Sequence, residues 1–178
     1  MRCVVQRVLS ASVAVDGVVV SRLGAGALCL VGVMDGDGDA DAAWLTQKLL
    51  SLRLFDAAPG DDAAAADASG ASARRWAASA ATAGYELLLV SQFTLAARTA
   101  KAKPDFSRAM AGGRAKPLFD AVVAALRARH PRGPAAVGEG VFGADMRVAM
   151  EGDGPVTILL DSREGGPAPA AEAELALA

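Results

Sequence analysis

A chain of 178 residues, 53% of them hydrophobic, has the length of one domain and enough apolar side chains to build a core. Its formal net charge of −2 excludes a surface coated in positive charge, and its single histidine excludes a histidine-rich metal site. No apolar run approaches the roughly 20 residues needed to cross a bilayer, and "MRCVVQRV" starts like a strand rather than a signal peptide, so a soluble, cytoplasmic protein without membrane contact is expected.

Residues 2–33 read as strands. Asp16-Gly17 separates two β-branched runs in "SVAVDGVVVS", the strongest short hairpin signal because both residues tolerate positive φ. "ALCLVGV" follows with little alternation, as a strand covered on both faces does. Cys3 and Cys29 sit inside these apolar runs without Cys-x-x-Cys spacing and read as buried free thiols.

The alternating Asp35, Asp37, Asp39 and Asp41 imitate a calcium loop. Ala40 stands where the EF-hand needs glycine and Thr46 where it needs glutamate, so the run reads instead as an acidic helix start. Leu45, Leu49 and Leu52 continue it as one apolar stripe.

From Ala57 to Gly84 the composition shifts to alanine, aspartate, serine and glycine, which predicts a low-complexity surface insertion. The tail 163–178 reads as disordered by the same argument. Between them, "ELLLV" at 86–90 is a buried strand that runs into Ser91, Gln92, Phe93 and Thr94. "AKPLFDAVVAALRAR" is a helix with Pro117 near its first turn and Phe119, Val123 and Leu126 on one side. "AAVGEGVFG", "DMRVAM" and "PVTILLDS" are three short strand candidates, the last two separated by a turn at Gly152 to Pro155. The pattern predicts a single α+β domain over 1–162, a curved mixed or mostly antiparallel, barrel-like sheet covered by helices.

Ser91 or Thr94 as a nucleophile needs a base. His130 lies at a helix end before a proline, where a positive imidazole is favourable for structural reasons alone. Asp56, Asp105, Asp120, Glu139, Asp145 and Glu151 are possible carboxylate bases, none marked by spacing. Nine lysines and arginines between Arg98 and Arg132 face only Asp105 and Asp120, a solvated face by default and an anion-binding one as the alternative.

Four segments, "MRCVVQRVLSASV" at the start, "SQFTL" at Ser91–Leu95, "FGADM" at Phe142–Met146 and "GPVT" at Gly154–Thr157, together resemble the D-aminoacyl-tRNA deacylases. The resemblance covers 1–55 and 85–162. It implies a homodimer that hydrolyses the ester between a D-amino acid, or glycine, and the terminal adenosine of tRNA, a proofreading step that uses neither cofactor nor metal. Ser91, Gln92, Phe93 and Thr94 then line the catalytic pocket, while Gly154 and Pro155, joined by a cis peptide, reach in from the other subunit to hold the α-amino group. Phe142, Gly143, Ala144 and Met146 match the segment that contacts the adenosine, and Arg7 a basic residue near the Gly-Pro loop. In the family the substrate's own 2′-hydroxyl is thought to activate the water.

Gly152 departs from the pattern, which has asparagine two residues before the glycine of Gly-Pro. The residues themselves leave two other readings open: a serine- or threonine-dependent esterase or amidase for small acyl groups, and a catalytically silent tRNA-binding module.

Overall fold

The computed structural model describes residues 1–56 and 75–165. Strand β1 (Arg2–Val15) turns at Asp16-Gly17, with φ of 49° and 80°, into β2 (Val18–Leu23), so both turn residues take the left-handed conformation that the dipeptide favours. β3 (Gly26–Gly32) returns antiparallel to the first half of β1. Helix α1 (Asp39–Ser51) starts at Gly38, whose N–H donates to Asp41 Oδ2 at 2.9 Å. The acidic run is therefore a helix start, and Asp37 accepts from the Met34 N–H at 2.6 Å.

Strand β4 (Arg53–Phe55) pairs with β5 (Ala78–Ser79), and a single helical turn, α2 (Ala80–Ala83), follows. Ala78, Ser79 and Ala80 are buried. The expected insertion over Ala57–Gly84 thus gives way to packed structure at its C-terminal end, because small residues there fit against Phe55 and the Ser79 hydroxyl caps the turn by accepting from the Thr82 N–H. Its remainder, 57–74, lies outside the described residues.

β6 (Glu86–Ser91) joins β3 in parallel, and a 3₁₀ turn at Phe93–Ala96 ends it. α3 (Gly112–Arg129) begins three residues before the expected start, which places Pro117 in the second turn rather than the first. Without an N–H, Pro117 leaves the Gly113 carbonyl four residues back without its helical hydrogen bond.

Short β7 (Val137–Glu139) adds to β6, and β8 (Arg147–Asp161) runs the whole length of β1. The turn expected at Gly152–Pro155 is a bulge within this one strand. Register jumps from Gln6↔Thr157 to Val8↔Gly152, so Asp153 to Val156 all face the single residue Arg7. A four-residue helix, α4 (Ser162–Gly165), closes the described chain, with Trp44 Nε1 donating to the Gly165 carbonyl at 2.6 Å. The predicted tail is therefore ordered over 163–165, and 166–178 lie outside the described residues.

The main sheet has the order β2-β1-β3-β6-β7 with β8 on the other side of β1, mixed in direction and curved almost into a barrel. Its two ends nearly meet: a Cβ added to Gly138 of β7 would sit 2.5 Å from the Ser21 hydroxyl of β2. Both faces are apolar, as expected for β3. One packs Cys29, Leu87 and Leu89 against α1 and α3 through Leu45, Leu49, Phe119 and Leu126; the other gathers Val8, Val13, Leu28 and Leu88 inside the curve. Cys3 and Cys29 are buried free thiols, and burial pushes the Cys3 thiol well up.

Candidate active site

The parallel pairing of β3 and β6 brings Val31 beside Ser91, at the edge where both strands end. There the chain must turn sharply, and Gly32 makes room: a Cβ on it would lie 2.9 Å from the Gln92 carbonyl oxygen and 3.0 Å from Leu95 Cβ. The Gln92 N–H still donates across to the Val31 carbonyl at 2.7 Å, which fixes the strand's last residue before the turn.

Beyond that edge is a cavity of about 480 Å³. Ser91, Gln92 and Phe93 form one wall, and Phe142, Gly143, Ala144 and Met146 form another. The "SQFTL" and "FGADM" segments, fifty residues apart in sequence, thus meet across one space. Phe142 is held by Phe119 of α3, ring centroids 5.7 Å apart.

Thr94 is not on the wall. Its hydroxyl accepts from Gln92 Nε2, which orients the glutamine amide. Phe93 is 59% exposed at the mouth and meets Phe106 edge-on, centroids 5.1 Å apart. The apolar floor, Val31, Val33, Met110 and Ala115, carries no sequence mark that distinguishes it from ordinary core and was not foreseen as part of the site.

Asp145 is the one titratable side chain among the described residues that line the cavity, and it is exposed. His130 is elsewhere and buried. The Arg132 N–H donates to its Nδ1 at 3.2 Å, and its Nε2 lies 2.8 Å from the Tyr85 carbonyl oxygen. These contacts tie the end of α3 to the residue just before β6, the structural role expected for His130.

Beside the cavity, where Phe93 lines it and Thr94 follows, are two N–H groups without partners among the described residues. Phe93 and Thr94 open the 3₁₀ turn, where intrahelical partners do not exist, and among the described residues nothing accepts from them. The N-terminus of α3 reaches the same space at Gly112, adding the positive end of its dipole. The site is built to stabilise negative charge on a bound group, and it has little with which to take a proton.

Arg7, Gly154 and Pro155 form a second cluster that does not line this cavity in its own chain. The Gly154–Pro155 peptide is cis, and Gly154 has φ of +112°, a conformation that L side chains resist. Arg7 Nε lies 2.8 Å from Asp153 Oδ2, with its N–H angled off line, so the contact is an ion pair rather than a hydrogen bond. Gly154 and Pro155 point to solvent, as do Met150 and Leu159 of the same strand, 46% and 65% exposed. Gly152 has an ordinary negative φ, and nothing lies within 4 Å of a Cβ built on it.

A family model described as D-Tyr-tRNA(Tyr) deacylase matches residues 4–161. A D-aminoacyl-tRNA deacylase of Chromobacterium violaceum is 46% identical over 164 residues, 92% of this chain and 98% of its own. One of Dechloromonas aromatica is 44% identical over 164 residues, with the same coverage of 92% and 98%. A solved structure named c-Myc DNA Unwinding Element Binding Protein superposes with a TM-score of 0.78 at 37% identity, covering 94% of this chain and 100% of that one. A second, of a probable eukaryotic D-amino acid tRNA deacylase, has a TM-score of 0.70 at 16% identity, covers 90% and 98%, and speaks to the fold alone.

Proposed function

The chain belongs to the D-Tyr-tRNA(Tyr) deacylase family and hydrolyses the ester of D-aminoacyl-tRNA, and we propose that it does so in the cavity between Ser91–Thr94 and Phe142–Met146, without a nucleophile of its own. The observation that carries this reading is the turn at Phe93 and Thr94, whose N–H groups find no acceptor among the described residues, beside a cavity whose one titratable lining residue among them is the exposed Asp145. Such a site can polarise an ester that is already activated, and it lacks the base that would turn Ser91 into an attacking group.

The terminal adenosine lies along Phe142, Gly143, Ala144 and Met146, and the ester carbonyl points its oxygen at the Phe93 and Thr94 N–H groups. A water adds to the carbonyl carbon, the developing oxyanion takes those two hydrogen bonds, and the ribose 3′ oxygen departs with the proton that the water loses. The neighbouring 2′-hydroxyl of the substrate relays that proton. Ser91 and Gln92 hold the substrate, and Thr94 is a positioning residue acting through Gln92.

A second copy completes the site. Gly154 and Pro155 are exposed and outside their own cavity, and the apolar Met150 and Leu159 beside them suit a covered face. Placed across a two-fold axis, the backbone of this loop holds the α-amino group and leaves no room for an L side chain, while glycine and D side chains fit. The protein works on tRNA in the cytoplasm. Hydrolysis of matched D-, L- and glycyl-tRNA by the purified protein tests the reading: D and glycyl esters are expected to turn over far faster than L, and equal rates on D and L contradict it.

A further inference from the structure

At the mouth of the cavity the chain makes an excursion from Ala97 to Ala111 that the chemistry above does not use. Its legs are pinned together where Arg98 and Asp105 exchange backbone hydrogen bonds of 2.8 and 3.0 Å. One leg continues from the Phe93 turn. The other is stitched to the floor of the site by Asp35 N–H to the Arg108 carbonyl at 2.8 Å and Met110 N–H to the Val33 carbonyl at 3.0 Å.

Between residues 98 and 108 the sequence places Arg98, Lys101, Lys103 and Arg108 against one carboxylate, in a chain whose net charge is −2. That carboxylate is occupied: Asp105 accepts from the Ser107 N–H at 2.8 Å and its hydroxyl at 3.1 Å, and lies 3.6 Å from Arg98. Lys101 and Lys103 are exposed at the tip, and no ion pair is found for either among the described residues. An extended leg carries that tip at most about 10 Å beyond the Arg98–Asp105 pair.

We propose that this hairpin is an arm that grips the phosphate backbone of the tRNA acceptor end as the terminal adenosine enters the cavity, with Lys101 and Lys103 as its contacts. The proposal rests on the deacylase reading and adds to it how the nucleic acid outside the pocket is held. Two lysines on a short pinned loop bind as point charges, so the grip is independent of tRNA sequence and falls with salt. Its place beside Phe93, with Phe106 of the hairpin against the Phe93 ring, puts the charge at the mouth of the cavity.

The test compares the wild type with K101E/K103E in two measurements. Binding of uncharged tRNA is followed against salt, and kcat/KM is measured for D-aminoacyl-tRNA and for the D-aminoacyl ester of adenosine alone, which carries no phosphate. The arm predicts about a tenfold loss in tRNA binding and in kcat/KM on tRNA at low salt, and a log–log salt slope shallower by about one to two. The adenosine ester, which neither lysine reaches, is turned over as before, and K101R/K103R retains tRNA binding. Unchanged tRNA binding and slope overturn the proposal, as they would if the hairpin were merely solvated or met an acidic protein. An equal loss on both substrates also overturns it. If the wild type hydrolyses neither substrate, the deacylase reading fails, while the binding measurement still decides the arm.

Discussion

Arg7 Nε lies 2.8 Å from Asp153 Oδ2, and Nη1 of the same guanidinium donates to the Leu54 carbonyl oxygen at 2.8 Å. One side chain therefore ties the bulge of β8 to β1, where it resides, and to β4. Arg7→Met keeps the apolar stem and removes both contacts. It should cost about 1–3 kcal/mol in denaturant unfolding, the range for a partly buried charge-assisted bond. Turnover should fall further than the folded fraction does, because the loop it steadies is the one proposed to enter the partner's site. Unchanged turnover with unchanged stability would remove Arg7 from the account.

Gly32→Ala places a methyl 2.9 Å from the Gln92 carbonyl oxygen, which is backbone and cannot rotate away. The Ser91–Thr94 turn must shift. A displacement approaching 1 Å can cost about a hundredfold in rate, so kcat should drop by that order while circular dichroism stays native and stability falls by about 1–3 kcal/mol. A fully active Gly32→Ala enzyme would show that the turn is not held as described.

Gly152 sits in β8 opposite Val8 with room for a side chain and no need of positive φ. Gly152→Ala should therefore stabilise the protein by about 0.4–1 kcal/mol, chiefly by restricting the unfolded chain, seen as a thermal midpoint a few degrees higher. Gly152→Asn fits the same space. A lower midpoint for the alanine variant would mean that a second copy packs against this position.

The acid limb of stability follows from Asp41 and Asp161. Burial pushes each carboxyl up, but the Ser162 hydroxyl and Gly38 N–H at Asp41, and Arg2 at Asp161, outweigh it and hold both below the ordinary value. A carboxylate with a depressed folded pKa contributes stability that is complete above its unfolded value of about 3.9 and disappears as the pH falls through the folded one. Urea midpoints should accordingly change little between neutrality and about pH 5 on account of these groups and fall below about pH 4. Asp161→Asn should start lower at pH 7 and lose less on acidification.

The strands, the Asp16-Gly17 hairpin and the helix stripes were legible because periodicity and turn chemistry report local structure directly. The motifs at Ser91 and Phe142 also named two segments that the structure brings together around one cavity. The Gly152–Pro155 segment misled, since glycine and proline between two strands describe a turn and a long bulge equally well, and only the pairing with β1 at both ends separates them. Ala78 to Ala80 misled for the opposite reason: small residues in a low-complexity context look unable to pack, yet they fit where Phe55 leaves narrow space. The floor at Val31, Val33 and Met110 was invisible because a residue lining a cavity and a residue filling a core have the same composition.

Ser91→Ala and Thr94→Ala should each keep substantial turnover, and no acyl-enzyme should be trappable by mass spectrometry with a slowly hydrolysed ester. Each variant removes one positioning contact, whereas loss of a true nucleophile would abolish the reaction.

The central claim is that the protein supplies oxyanion stabilisation and position while the substrate supplies the proton relay. It is tested most directly by the single-turnover rate on a D-aminoacyl-tRNA whose terminal adenosine lacks the 2′-hydroxyl, the amino acid being carried on the 3′ oxygen. The account predicts that wild-type protein binds this substrate normally and hydrolyses it orders of magnitude more slowly than the ribose form. Hydrolysis at the normal rate would contradict it, and would return the search for a base to the protein, beginning with Asp145.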